Sequence, residues 1–302
     1  DSEGEEGKYY VWSRQEILDV LGEEDGELFC EVYGVKPDGN WVEEATGHRP
    51  GTNVLHLPEP VGAVAERHGM DAGELRDRLA AMREKLLPVR MKRIPPHLDD
   101  KVLSSWNGLM IAGLAHAGQA LNRPKYLELA GRAAGFVLDE MRDGERLLRY
   151  WRDGEAGQPA YLDDYAFFIE GLLELHGATD ESRWRDAAVS LADVMLEDFF
   201  DEEGGGLFFT SPQHDELITR SKDPQDSSIP SGNGVAMRVL PRLAELTADE
   251  RYLHAARQSF RAFSGLMNEQ PQAVQSMIHA YAMHRDVLDL ASQTEETGEQ
   301  PV

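Results

Sequence analysis

From about residue 96 onward, apolar positions recur at helical spacing. Tyr165, Phe168, Leu172 and Leu175 step by 3, 4 and 3. Met110, Leu114, Ala117 and Leu121 step by 4, 3 and 4, as do Trp184, Ala188, Leu191 and Met195. Gly108, Ala112, Ala115 and Gly118 form a line of small residues along which another helix can approach closely. Three segments repeat around an aromatic: Lys125-Tyr126 with Ala130, Arg183-Trp184 with Ala188, and Arg251-Tyr252 with Ala256. Their aromatics lie 58 and then 68 residues apart, each after a polar turn that itself follows a helical stretch. Those preceding helices are expected near 104–121, 162–178 and 233–246, with a fourth near 272–290. The unit is a helical hairpin of about 60 residues, repeated three and a half times. One hairpin cannot bury its apolar face alone, so the repeats must stack as an open solenoid or a closed toroid.

The long loops carry β-like pieces. Leu147–Trp151 reads as one strand, and Leu207–Thr210 with Leu217–Arg220 as a hairpin after Gly204-Gly205-Gly206. These elaborations precede the first helix of a pair and should gather at one end of the stack, where a pocket would form. Residues 1–95 have a different texture. Lys8–Trp12 suits a short strand, and Ser13 with Glu16 forms a capping box before Ile17, Leu18 and Leu21. Residues 34–53 read as loop; helical spacing returns at Val61–Arg67 and Leu75–Leu87. Pro88, Pro95 and Pro96 then punctuate the chain. The expected organisation is a mixed segment at 1–95 packed on the repeats, helical hairpins at 96–290, and a disordered acidic tail at 291–302.

Charge narrows the functional classes. The 302 residues hold 55 Asp and Glu against 30 Lys and Arg, a formal net charge of −25, and 23 of the 30 cations are Arg. Such a field repels nucleic acid and anionic membrane, so neither is expected as a partner. Because the acid is spread along the chain, it reads as a surface adapted to concentrated salt rather than a docking patch. No apolar run is long enough to span a bilayer and no signal peptide opens the chain. The first residue is Asp1, which points to processing or truncation. One cysteine, Cys30, rules out an internal disulfide and any Cys-x-x-Cys motif, and a reducing cytoplasm is the simplest compartment. The ten histidines, including His116, His176, His279 and His284, show no metal spacing, and there is no phosphate or dinucleotide fingerprint. No metal and no cofactor are expected.

The candidate chemistry sits where first helices begin: Asp99-Asp100-Lys101 leading to Trp106-Asn107-Gly108, then Leu162-Asp163-Asp164-Tyr165, then Pro230-Ser231-Gly232-Asn233. If the repeats close, these positions converge. Asp163 and Asp164 invite carboxylate chemistry on a sugar; the alternative is that they cap the helix, which accounts for one more readily than for two. A carboxylate at a helix N-terminus favours its charged form and suits a base, a nucleophile or a hydroxyl acceptor better than a general acid. A hydrolase needs a second carboxylate about 5–10 Å away, and Asp100 is the candidate. Trp106 either stacks on a sugar ring or anchors the core, with Asn107 beside it to bond hydroxyls. Ser231 and Asn233 either present donors to a ligand or cap their helix. Tyr165 completes the expected substrate-binding set.

These segments, in order, resemble those of the YyaL / spermatogenesis-associated protein 20-like family: Asp1-Ser2-Glu3-Gly4 through Lys8-Tyr9-Tyr10-Val11-Trp12, Asn53-Val54-Leu55-His56, Asp99-Asp100-Lys101 through Ser105-Trp106-Asn107-Gly108, Leu162-Asp163-Asp164-Tyr165-Ala166-Phe167, and Pro230-Ser231-Gly232-Asn233. The resemblance implies a mainly α fold, an (α/α) toroid like that of six-hairpin glycosidases and sugar epimerases. It also implies a thioredoxin-like domain as a partner, absent from this chain. The early hairpins of the family are absent too, so the toroid is expected to be incomplete, and Asp226–Ile229 departs from the family's approach to Pro230. The expected function is binding or processing of a sugar in a carboxylate-lined pocket, hydrolase-like or epimerase-like, though no histidine at a helix start offers itself as an epimerase base. The alternative is a non-catalytic ligand-binding or scaffold module that works with the thioredoxin-like domain.

Overall fold

The computed structural model describes residues 2–43, 46–214 and 219–288. The chain divides into two compact units, residues 1–99 and 100–302.

In the first unit the helices are α1 (Arg14–Leu21), α2 (Glu23–Val32), α3 (Val61–Arg67) and α4 (Ala72–Arg90). Ser13 caps α1 in the expected box, with its backbone N–H donating to Glu16 at 2.8 Å. Their core holds Ile17, Phe29, Val64, Leu75, Leu79 and Met82. Two expectations fail here. Lys8–Trp12 is not a strand: Gly4 and Gly7 take positive φ, the chain turns, and Trp12 alone bridges, to Asn53. Helix α4 runs through Pro88 to Arg90, because a proline this close to the C-terminus disturbs only the last turn of a helix already packed along its length.

The second unit contains β1 (Val102–Leu103), α5 (Ser104–Ala120), α6 (Pro124–Glu140), β2 (Arg142–Asp143), β3 (Arg146–Arg152), β4 (Glu155–Pro159), α7 (Leu162–Thr179), α8 (Ser182–Phe199), α9 (Gly232–Thr247), α10 (Glu250–Glu269) and α11 (Gln275–Leu288). Helices α5, α7, α9 and α11 pack in succession as one layer, and α6, α8 and α10 cover them as a second. The repeated positions lie at the starts of the second-layer helices, where Ala130, Trp184, Ala188, Tyr252 and Ala256 are all buried. Strand β3 pairs antiparallel with β1, β2 and β4, with Val102 opposite Trp151 and Leu148 opposite Pro159. The expected hairpin after Gly206 is looser: Leu207 bridges Phe200, and Phe209 donates to the Ser221 carbonyl at 2.8 Å. Leu217 and Ile218, and the acidic tail, lie outside the described residues.

Helix α7 is buried almost all round, so its polar positions must find partners. Arg238 grips Glu170 at 2.6 Å, and Glu174 is shared between Arg242 and His116, whose Nε2 is 2.6 Å away. This ladder ties α5, α7 and α9 together along one face. On α5 the buried line is Ser104, Gly108, Ile111, Ala115 and Gly118, which includes three of the small residues expected to let a helix approach, while Met110 and Leu121 of the apolar line are 61% and 62% exposed.

Candidate functional site

The first-layer helices begin at one end of the unit. At the start of α7, Tyr161 is extended and its N–H donates to Asp164 Oδ2 at 2.9 Å. Asp164 Oδ1 accepts from the Ser105 N–H, also at 2.9 Å, and the residue is 1% exposed. Asp164 therefore binds the start of α7 to the start of α5, and both carboxylate oxygens are committed to backbone donors.

Asp163 is only partly buried, and among the described residues it accepts no bond from a side chain. Burial pushes its carboxyl up to about 6, the charges of Asp164 and Asp223 add to the rise, and the Gly232 N–H and Arg149 oppose it. The helix-terminus argument gives the opposite direction. Desolvation and two neighbouring carboxylates outweigh the dipole, and they make Asp163 suited to give a proton near neutral pH as well as take one.

Two residues that the sequence did not single out are tied to Asp163, Arg149 through its charge and Tyr161 two positions before it, and a cluster forms on the Tyr161 ring. Tyr161 stacks on Phe209, with ring centroids 4.8 Å apart and 25° between planes. The His214 ring lies 4.3 Å from Tyr161, and the Arg149 guanidinium sits 4.5 Å from the same ring centroid. His214 Nδ1 lies 3.1 Å from the Ser211 N, 3.0 Å from its hydroxyl and 3.3 Å from its carbonyl oxygen. Among the described residues the His214 Nε2 is buried and has no partner. The result is an aromatic cluster with a cation and an unpartnered ring nitrogen, drawn from the β3, pre-α7 and post-α8 segments, next to a carboxyl raised to about 6. A lone His in a Pro- and Gly-rich loop and an Arg on a short strand carry no spacing signal, which is why sequence reading passes over them.

The other expected residues are placed as follows. Asp100 is half exposed and paired with Arg152 at 2.9 Å, beside the sheet, while the carboxylates whose charges act on Asp163 are Asp164 and Asp223. Trp106 is 63% exposed, so it anchors no core. Asn107 donates to the Leu103 carbonyl at 2.9 Å. Tyr165 is buried with its hydroxyl accepting from the Leu147 N–H at 2.9 Å. Ser231 caps α9 through the Gly234 N–H at 3.0 Å. Asn233 is fully buried and clamps Leu207 with a 2.9 Å bond in each direction. Asp226, in the segment that departs from the family pattern, accepts from the Ser231 and Ser276 N–H groups at 2.9 and 2.8 Å, and so joins the starts of α9 and α11. Among the described residues no cluster of His, Cys, Asp and Glu could hold a metal ion, and no helix is long and apolar enough to cross a membrane.

No protein-family profile matches the chain. Over 94% of its length it is 33% identical to human spermatogenesis-associated protein 20, and over 93% it is 31% identical to an uncharacterised Caenorhabditis elegans protein. The chain is a homologue of part of spermatogenesis-associated protein 20. It spans about two fifths of those relatives, 39% of the human protein and 40% of the nematode one. In three dimensions it resembles a GH76 alpha-mannanase of Bacteroides thetaiotaomicron, with a TM-score of 0.51 and 19% identity over 64% of this chain and 56% of that one. At that identity the likeness concerns fold alone, and the fold is the (α/α) toroid of helical hairpins.

Proposed function

We propose that this chain is the sugar-handling part of a carbohydrate-active toroid, with its site at the N-terminal ends of α5, α7 and α9. Asp163 carries the reading: a carboxyl raised to about 6 beside the Tyr161–Phe209 platform is suited to general acid–base work on a glycosidic oxygen. In a hydrolase-like reaction Asp163 protonates the departing oxygen and Asp223 is the second carboxylate. Arg149, whose charge already acts on Asp163, orients the sugar's oxygens, and Tyr161, covered by Phe209, His214 and the guanidinium itself, holds Arg149 in place. Trp106, exposed near the start of α5, offers a further stacking surface, with Asn107 beside it. The GH76 neighbour is a mannanase by name, which makes a glycoside the substrate class to test first. The carboxylate-rich surface is the adaptation of a protein that works in concentrated salt, and a reducing cytoplasm suits its single cysteine, Cys30.

The second reading is a non-catalytic module acting with a thioredoxin-like domain outside this chain. It is favoured by the internal employment of Asp164, Tyr165, Ser231 and Asn233. Unfolding in molar KCl against monosaccharides, uronates and disaccharides separates the two. A ligand at a hundred times its Kd stabilises by about 2.7 kcal/mol. The proposal expects such a shift with one sugar class, and turnover that Asp163→Asn abolishes. A sugar that binds and is never turned over, unaffected by Asp163→Asn, establishes the second reading and removes the first.

A further inference from the structure

Two motifs of the first unit take no part in the Asp163 site: the segment ending at Trp12 and the Asn53–His56 segment. In the structure they meet. Trp12 and Asn53 exchange backbone bonds of 3.0 and 2.7 Å, and the fully buried Asn53 side chain also donates to the Trp12 carbonyl at 3.2 Å. Arg93 lies 4.3 Å from the Trp12 ring centroid, pairs with Glu16 and donates to the Val11 carbonyl at 2.6 Å, so the indole is held from outside.

What this clamp frames is a cavity of about 400 Å³. Its apolar wall comes from Trp12, Phe29, Leu55 and Leu86, with the Phe29 and Tyr33 rings 4.4 Å apart. Two arginines of α4 also line it, Arg83 and Arg90. Arg83 donates to the Tyr33 hydroxyl at 2.7 Å, which leaves its other N–H groups for something else. The Arg90 guanidinium lies 5.6 and 5.8 Å from the Tyr9 and Tyr10 ring centroids, and among the described residues its Nε has no acceptor. Nor is either arginine paired with a described carboxylate, although the chain carries nearly two acids for each base. Glu84 is the one acid among the described residues of the wall.

We infer that this cavity is a binding site for an apolar monocarboxylate, a small flat or chain-like acid whose body fills the aromatic pocket and whose carboxylate meets Arg83 and Arg90. The volume suits a ligand of modest size, and cavities of a few hundred Å³ with an apolar body and few polar groups are the usual form of such sites. A guanidinium matches a carboxylate in both charge and shape. Glu84 at the wall disfavours a second negative charge on the ligand, so a monocarboxylate is preferred to a dicarboxylate.

Calorimetric titration of the full chain in molar KCl tests this with 2-naphthoate, decanoate, the neutral isostere 2-naphthalenemethanol and the dianion 2,6-naphthalenedicarboxylate. The two monocarboxylates report whether the body is flat or chain-like. Binding of at least one of them, roughly tenfold or more tighter than the alcohol, is expected from the charge-assisted contacts. Arg90→Gln should remove that preference. Because Arg90 also steadies Tyr9 and Tyr10, Leu87→Glu provides a second variant: Leu87 lines the cavity and is 45% exposed, so the fold tolerates the change while the new carboxylate removes apolar wall and competes for the arginines, which weakens binding. Equal affinity for acid and alcohol, stronger binding of the dianion, no binding of either monocarboxylate, or binding unaffected by Leu87→Glu would each overturn the assignment.

Discussion

Asp163 and Asp164 are adjacent in sequence and opposed in duty. A helix turns by about 100° per residue, so one carboxylate points into the α5–α7 junction and the other toward the platform. Asp164 gains two backbone donors. Asp163 has its carboxyl pushed from the ordinary 3.8 to about 6. An acid with a raised pKa binds its proton more tightly when folded, so it costs stability once ionised. The loss begins as pH rises through about 4 and is complete above about 6, and a shift of this size corresponds to roughly 2–3 kcal/mol. Asp163→Asn keeps the shape without the charge. It should raise the unfolding midpoint at pH 7.5, and the difference from wild type should vanish by pH 3.5. Chemical denaturation at the two pH values measures this, and a variant less stable than wild type at pH 7.5 would place Asp163 in a structural role. The Asp-Asp pair is legible in the sequence; which of the two is free is not, because that depends on Ser105 and Tyr161 arriving from either side.

At the level of elements, the α5–α7 crossing sets the geometry of the site, since Ser105 and Asp164 lie at its end. The crossing is close because glycines face each other. A Cβ on Gly108 would lie 2.5 Å from the Phe167 carbonyl carbon, and one on Gly171 would lie 2.7 Å from the Gly108 oxygen. These neighbours are backbone and cannot give way. Gly108→Ala should therefore cost about 3 kcal/mol, the upper part of the overpacking range. Gly113, on the same helix, should behave oppositely, because a Cβ added there would meet nothing within 4 Å. Gly113→Ala should stabilise by up to about 1 kcal/mol through helix propensity. Thermal melts of the two variants form a matched pair, and equal effects would mean that the close crossing is absent in solution. The sequence shows two stripes on α5, one of large apolar residues and one of small ones. Period alone cannot choose between them, because both repeat at helical spacing. The small stripe is buried since it alone lets α7 approach so near.

For the molecule as a whole, the excess of 55 acids over 30 bases predicts that folding depends on salt. Surface carboxylates repel one another across the compact state and do so less when salt screens them, with a Debye length of about 3 Å at 1 M. Some acids are internally matched, as in the Glu170–Arg238 and Glu174–Arg242 pairs, but exposed pairs offset little of the rest. The unfolding midpoint should rise steadily with KCl from 0.1 M to about 3 M, the range over which screening shortens from roughly 10 Å to under 3 Å. A midpoint independent of KCl, followed by circular dichroism, would sink the reading of a salt-adapted surface.

The amino-acid sequence by itself determined the helical repeat, the capping box at Ser13, the positions of the first-layer helices and the end of the unit where polar residues collect. All of these depend on local periodicity and on short-range backbone chemistry, which a linear pattern records. Only the tertiary structure decided which side of α5 is buried, that Asn233 and Asp164 are fastenings, and that burial raises the Asp163 carboxyl to about 6. It alone brought Arg149 to that carboxyl and Phe209 and His214 onto Tyr161, and Trp12 and Leu55 to the Arg83–Arg90 cavity. Those outcomes depend on desolvation and on partners tens of residues away, and neither is written in the spacing of any one segment.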